Sequence, residues 1–317
     1  MTVVIVLAVG ALLVAWTAPR MLQCMLRRGV DPQVVLVAWF ALVASMSLSM
    51  IASIVLVLVP GHGPAQRVVS LVHHCWRALQ GGSPLRVEEA AGLLGVLLAV
   101  VTGARCLIGA VRFTQHRRAL HRRHLDLLRI LADGRDERYP TLWLDVPDPM
   151  AYSVAGRPSL VVASRGLRTH LPGDAVAAVL AHERAHLRGR HHMLVGLAEA
   201  VAGALPWLPL MRSSPGFVRT AVELCADSVA ARHHGRNAVR SALLGMAAGN
   251  VPRFALGMGG HCTELRLSVL ESDRHDRGPV TRTVRSGVAG ATAVALPTVT
   301  SAALLALATL TSCPVLG

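Results

Sequence analysis

Residues 182–186 read His-Glu-Arg-Ala-His, a pattern that is typical of a zinc site on a helix. Because residues four apart lie on one face of a helix, His182 and His186 can direct their imidazoles at the same metal ion. Glu183 would lie beside that ion and act as a general base on a water molecule that the metal makes more acidic. Chance produces the pattern about 0.02 times in a chain of this composition. The alternative is that residues 184–192 are simply a solvated basic helix end.

A catalytic zinc ion takes three protein ligands, so the two histidines need a partner from elsewhere in the chain. The stretch 220–231 is compatible with a helix and carries two carboxylates, Glu223 and Asp227, one turn apart on one face. We predict that Glu223 is the third ligand of one zinc ion per chain. Asp227 suits a supporting role, in which it accepts a hydrogen bond from a ligating imidazole and fixes its tautomer.

Further segments carry a likeness to known proteins. They are Asp-Pro-Met-Ala-Tyr-Ser-Val at 148–154, Leu-Val-Val-Ala-Ser-Arg-Gly-Leu at 160–167, Leu-Pro-Gly-Asp at 171–174 and Glu-Leu-Cys-Ala-Asp at 223–227. With these segments, roughly residues 145–235 resemble integral-membrane zinc metallopeptidases (gluzincins) of the HtpX and CAAX-protease type and antirepressor peptidases of the BlaR/MecR type.

The resemblance implies a zincin-like α+β fold and zinc-dependent hydrolysis of peptide bonds. It carries the zinc ligands over to His182, His186 and Glu223, the catalytic base to Glu183 and a helical aspartate to Asp227. His191 departs from the pattern, because several relatives of the BlaR type have an acidic residue there.

Composition favours a membrane protein, since mean hydropathy is +0.49, 53% of residues are hydrophobic and only 16% are charged. The predicted fold is a mainly α membrane protein with about four transmembrane helices and a cytosolic α+β zincin-like metallopeptidase domain that includes a small β-hairpin or sheet. The apolar segments that are long enough, or nearly so, to span are residues 2–18, 33–59, 90–108 and 284–310.

These segments divide the chain into three parts. Residues 1–112 form the N-terminal membrane region with about three transmembrane helices. Residues 113–282 form the cytosolic zinc metallopeptidase domain, and residues 283–317 form the C-terminal transmembrane helix. Arginines are dense in 112–129 and 274–285, which places these stretches in the cytosol. We therefore predict a multi-pass protein of the plasma (cytoplasmic) membrane, with its N terminus outside.

Residues 193–211 are apolar but contain Glu199, Pro206 and Pro209, which argue against a simple span. A full crossing would also separate Glu223 from His182 across the membrane. We predict a membrane-docked hairpin, and whether it spans or only dips into the bilayer is left open.

Two further predictions concern the strand that binds the substrate and the residue that donates a hydrogen bond to the oxyanion. The β-like run Ala151, Tyr152, Ser153 turns into a second strand at 159–163, and it is either an edge that adds a substrate strand or an ordinary hairpin covering the helix. His234 is a candidate donor to the oxyanion that develops on the scissile carbonyl. A solvated helix end explains His234 equally well.

The leading hypothesis is a metalloendopeptidase that acts at the cytosolic membrane face, in membrane-protein quality control or in cleavage of a cytosolic repressor. Its partners would be a protein or peptide substrate and the lipid bilayer, with a repressor as a further candidate. The net charge of +14 does not indicate nucleic acid, because the basic run 112–129 abuts a predicted span and lacks interleaved aromatics. The alternative is a non-catalytic membrane receptor or scaffold that has a zinc site. The sequence leaves the oligomeric state open.

Overall fold

The computed structural model describes residues 2–58, scattered helical residues between 97 and 115, and residues 139–156, 159–247 and 262–271. This part is mostly helical with one small mixed sheet, as the sequence predicts. Its elements are α1 (Thr2–Arg27), α2 (Pro32–Leu58), β1 (Thr141–Leu144), β2 (Ala151–Val154), β3 (Leu160–Ser164), α3 (Arg165–His170), α4 (Gly173–Arg188), α5 (His191–Ala204), α6 (Pro209–His234), α7 (Arg236–Ala247) and α8 (Thr263–Glu271).

Two of the predicted spanning segments, 2–18 and 33–59, fall almost entirely on α1 and α2. The third, 90–108, is described only in part, and the fourth, 284–310, lies outside the described residues. No helix within the described ranges combines the length and the apolar composition that a membrane crossing requires.

The sheet has β3 at its centre, with β1 parallel on one side and β2 antiparallel on the other. Every residue of β3 is buried, which explains its almost unbroken apolar sequence, Leu-Val-Val-Ala-Ser. The predicted hairpin is present, with Ala151 opposite Ala163 and Val154 opposite Leu160. β2 is therefore an edge strand among the described strands. The sequence did not predict β1, whose four residues are all only half-buried.

Helix α4 carries the His-Glu-Arg-Ala-His stretch and lies against the sheet. It begins after Pro172, and Asp174 in its first turn accepts a hydrogen bond from the Ala175 N–H (2.9 Å). The helix buries a face of small side chains, including Ala178 and Ala185, which allow the neighbouring elements to approach closely.

Helices α5 and α6 form a hairpin that includes residues 193–211, and the docking of this hairpin to a membrane stays a prediction. α5 ends at Ala204, and α6 begins at Pro209, where the missing N–H would have no partner within the helix in any case. Glu199 of α5 forms an ion pair with Arg219 of α6, which accounts for the one acidic residue in this apolar segment. The turn sends α6 back along α4, so that Glu223 returns to the side of His182.

The described residues form two apolar cores, and α6 contributes to both. One core joins α1 and α2 to α5 and to the first half of α6. The other lies between the sheet, α4 and α7, and includes Ala230 from the end of α6. A buried hydrogen bond ties the first core together, because the Trp39 indole N–H on α2 donates to the Ser214 hydroxyl on α6 (2.8 Å).

We predict that Ser214→Ala lowers the free energy of unfolding by about 1–3 kcal/mol, because it leaves the buried Trp39 N–H without an acceptor. Ser213→Ala is the matched control. The hydroxyls of Ser213 and Ser214 both donate to the Leu210 carbonyl, at 3.2 Å and 2.7 Å respectively. Ser213, however, is only partly buried. Denaturant unfolding of both variants measures the difference. Equal losses in the two variants would contradict the prediction.

Candidate metal centre

Three buried side chains from two helices converge on one point. The Nε2 atoms of His182 and His186 on α4 are 3.0 Å apart. Glu223 on α6 places Oε2 3.3 Å from Nε2 of His182 and Oε1 3.5 Å from Nε2 of His186. A tetrahedral zinc ion bound at its usual distances holds its ligand atoms roughly 3.3–3.5 Å apart. The three groups thus have the chemistry and the spacing of a metal site, and they form the one such cluster found among the described residues.

Charge at this point also favours a cation. The carboxylates of Glu183, Glu223 and Asp227 are all buried, and Arg266 is the buried guanidinium that faces them. When the two ligand imidazoles are neutral and the three carboxylates are ionised, as metal binding requires, these groups and Arg266 together carry two negative charges. Such an excess is costly in a buried site unless a cation neutralises it, and a divalent metal ion would do so.

His182 contacts carboxylates on both sides of its ring. Its Nε2 faces Glu223, and its Nδ1 lies 3.0 Å from Oδ1 of Asp227. Burial lowers the pKa of His182, but the contacts with Asp227 and Glu223 outweigh burial and raise it to about 9. A pocket that raises the pKa of a fully buried imidazole is one that favours positive charge. Asp227 lies within ion-pair distance of His182, and the orienting role of Asp227 stays a prediction.

Glu183 differs from Glu223 and Asp227, which both lie within ion-pair distance of His182 and Arg266. It is fully buried, and within the described part of the chain neither of its oxygens has a hydrogen bond of normal geometry. Burial, reinforced by the negative charge of Glu223, raises its pKa to about 8, although His182 and Ser153 oppose this shift. A carboxylate that is poorly solvated and has no fixed partner is a strong proton acceptor. A cation held by the adjacent ligand groups would lower this pKa and keep the carboxylate ionised.

Arg266 was not predicted from the sequence, yet it is central to the site. From α8, its Nε and Nη2 donate to Oδ2 and Oδ1 of Asp227 (2.7 and 2.6 Å), and its Nη1 lies 3.1 Å from Oε2 of Glu223. The contacts of Asp227 with Arg266 and His182 outweigh burial and lower the pKa of Asp227 to about 2. The one signal in the sequence is a charged residue between two leucines on a short helix, which does not indicate its partner.

The other predicted site residues fall into two groups. Ala151, Tyr152 and Ser153 lie on β2 beside α4, and Ser153 is close enough to Glu183 to influence its pKa. His234 is exposed in the last turn of α6, roughly 10 Å along the helix from Asp227. The structure therefore brings β2 to the site but does not bring His234 into the cluster.

Comparison with known proteins agrees with this geometry. Residues 115–205 match the model of peptidase family M48. The matched region contains the strands, α4 and both histidines, and it ends before Glu223. The match indicates a zinc metallopeptidase, which is a hydrolase, and peptidases of this family depend on a metal ion that is typically zinc. No solved structure gives a significant match to the chain.

We predict that Arg266→Met destabilises the protein by about 3–5 kcal/mol, because it removes the buried guanidinium that contacts both Asp227 and Glu223 and leaves His182 alone to offset two buried negative charges. Arg266→Lys should recover only part of this loss, since an ammonium group cannot reproduce the two-pronged contact with Asp227. The measurement is the free energy of unfolding of the metal-free protein.

The control for Arg266 is Arg240→Met on α7. Arg240 pairs with Glu271 across 3.2 Å, but both side chains are more than half exposed. Its removal should cost no more than about 1 kcal/mol. If Arg266→Met were as mild as this control, the central role of Arg266 in the buried network would be wrong.

Proposed function

We propose that this protein is a zinc-dependent metalloendopeptidase that hydrolyses peptide bonds of protein substrates at the cytosolic face of the plasma membrane. The observation that carries the proposal is the position of Glu183. A buried carboxylate without a fixed hydrogen bond lies next to three converging ligand groups, and a site that only stores metal does not need it.

His182, His186 and Glu223 would hold the ion. When bound, zinc supplies a Lewis acid that polarises the scissile carbonyl and lowers the pKa of water. Glu183 accepts the proton from the attacking water at a carboxylate oxygen and then delivers it to the leaving amine, so that the carboxylate is ionised again at the end of the cycle. Asp227 holds His182 in the tautomer that leaves Nε2 free as a ligand atom.

The position of strand β2 at the edge of the sheet favours a peptide as the substrate. One side of β2 pairs with β3, and no described strand pairs with its other side. An extended segment can add to such an edge through backbone hydrogen bonds, which would bring one of its peptide bonds toward Glu183. Ser153 of β2 lies close enough to Glu183, the proposed base, to lower its pKa.

The alternative of a receptor or scaffold with a zinc site fits the described residues less well. Structural zinc sites are usually closed by four protein ligands, whereas three ligand groups converge here. The buried carboxylate of Glu183, which has no hydrogen bond of normal geometry among the described residues, lies beside these groups, and this arrangement suits catalysis.

Membrane location is supported by the composition and by apolar side chains on α1 and α2. One face of each helix packs into the core shared with α6. Large apolar side chains outside that core are exposed, which suits contact with lipid or protein. They are Leu12, Leu13, Trp16, Val37, Phe40 and Leu48.

The likeness to the HtpX and BlaR types yields two roles for the same chemistry. In one, the enzyme degrades damaged membrane proteins, and in the other it cleaves a cytosolic repressor in response to a signal. The hairpin of α5 and α6 would hold the active site against the bilayer surface in both cases. Trp207 in its turn and Met193 near its start are exposed and apolar, which suits an interfacial position.

The first experiment compares wild type with Glu183→Gln, both purified in detergent. We expect one zinc ion per chain in both proteins, because Glu183 is not a proposed ligand. Cleavage of casein or self-cleavage should fall by about 10²–10⁴-fold in Glu183→Gln, which cannot accept the proton. Chelator should abolish wild-type activity, and zinc should restore it. Equal activity in the two proteins would exclude Glu183 as the base.

Orientation is tested with variants that keep a single cysteine and a maleimide that does not cross membranes. Cys75 lies between the second and third predicted spans, a stretch that the proposed topology places outside, and Cys262 is an exposed, free thiol next to α8. In intact cells the reagent should label Cys75 and leave Cys262 unlabelled until the membrane is opened. The reverse pattern would overturn the proposed topology, and recovery of the protein in a carbonate-washed supernatant would overturn membrane integration.

A further inference from the structure

His191 contacts the second histidine of the metal centre. It is the first residue of α5, and its buried side chain places Nδ1 2.9 Å from Nδ1 of His186. The two rings meet nearly at right angles, with their centroids 4.9 Å apart. His186 directs its other nitrogen, Nε2, at His182 and Glu223. His191 therefore lies behind His186, on the side away from the three converging ligand atoms.

The positions of the protons follow from this arrangement. An imidazole that offers Nε2 to a metal must carry its proton on Nδ1. Nδ1 of His186 is then a donor, and a contact of 2.9 Å is a hydrogen bond only if Nδ1 of His191 offers its lone pair. His191 is accordingly a neutral acceptor with its own proton on Nε2. This is the task that the Asp227 carboxylate performs for His182, here performed by an uncharged ring.

The turn between α4 and α5 is built to present this ring. Arg190 adopts a left-handed backbone conformation (φ 49°, ψ 36°), which is uncommon for a residue with a side chain. The ring of His191 then crosses over Gly189, where an added Cβ would lie 2.3 Å from Nε2 of His191. Glycine is needed at 189 for space and not for its backbone, because its φ of −77° and ψ of −3° suit any residue.

We propose that His191 is a positioning residue that holds His186 in its metal-binding tautomer and orientation through a neutral Nδ1 acceptor, with Gly189 providing the space for the ring. This inference rests on the proposed zinc site. It assigns a specific role to the position at which the sequence departs from relatives that carry an acidic residue.

An isosteric pair of variants tests the acceptor. In His191→Asn the amide Oδ1 is bonded to Cγ, as Nδ1 is in histidine, and it can accept the same hydrogen bond. In His191→Leu a methyl group takes this place and cannot accept one. We expect the zinc dissociation constant, measured by competition with a chelator, to rise about 10–100-fold in His191→Leu. In His191→Asn it should stay within about threefold of wild type. The Co²⁺-substituted proteins should show altered ligand-field bands in His191→Leu alone.

Gly189→Ala provides a second test in which every chemical group of the centre is kept. The added methyl group must displace the His191 ring, so zinc affinity should fall as it does in His191→Leu. His233→Leu, on the exposed end of α6, is the control for loss of a histidine and should bind zinc as wild type does.

Two results would overturn the inference, namely unchanged zinc affinity in His191→Leu and Gly189→Ala, or equal loss in His191→Asn and His191→Leu. Absence of zinc binding by the wild type would instead overturn the proposed metal site itself.

Discussion

The structure depends on the buried contact among Arg266, Asp227 and His182. Asp227 accepts both prongs of the Arg266 guanidinium and also faces Nδ1 of His182. This single carboxylate therefore joins α8, α6 and α4, three helices that are far apart in sequence. Each charged member would be costly to bury alone, so the network is stable only when all three helices are in place. Formation of the metal centre is thus coupled to completion of the fold around it.

The same network sets the electrostatics of the centre. Arg266 and then His182 lower the pKa of Asp227, whereas the pKa of Glu223 is lowered chiefly by His182 and less by Arg266, so that both carboxylates are ionised while buried. His182 is surrounded by carboxylates and His186 is not, and burial lowers the pKa of His186 to about 3. The two ligand histidines therefore occupy different environments, one supported by a carboxylate and the other by a neutral imidazole. A zinc site with two equivalent histidine ligands would not need a different supporting group for each histidine.

Local spacing made much of the site predictable. His182, Glu183 and His186 follow from the geometry of one helical turn, and Glu223 and Asp227 follow from a second turn of the same kind. Arg266 could not be found in this way, because nothing in a short helix indicates which buried carboxylate it faces. For His234, the periodicity placed it on the correct face of α6, but seven residues of helical rise carried it beyond the cluster. β1 was missed because four half-buried residues give no alternating pattern. The position of the His191 ring required the left-handed conformation of Arg190, which residue type does not predict.

Helix α6 has a further consequence for how the catalytic part of the chain can exist. Its first half is covered by α1 and α2, and its second half supplies Glu223 and Asp227. A fragment that began at residue 113 would leave Val218, Ala221 and Val222 without their N-terminal cover, on the same helix that carries the ligand. The first 58 residues are therefore part of the structural support of the active centre. Replacement of this N-terminal region by an unrelated sequence would therefore require a new packing surface on the helix that carries Glu223.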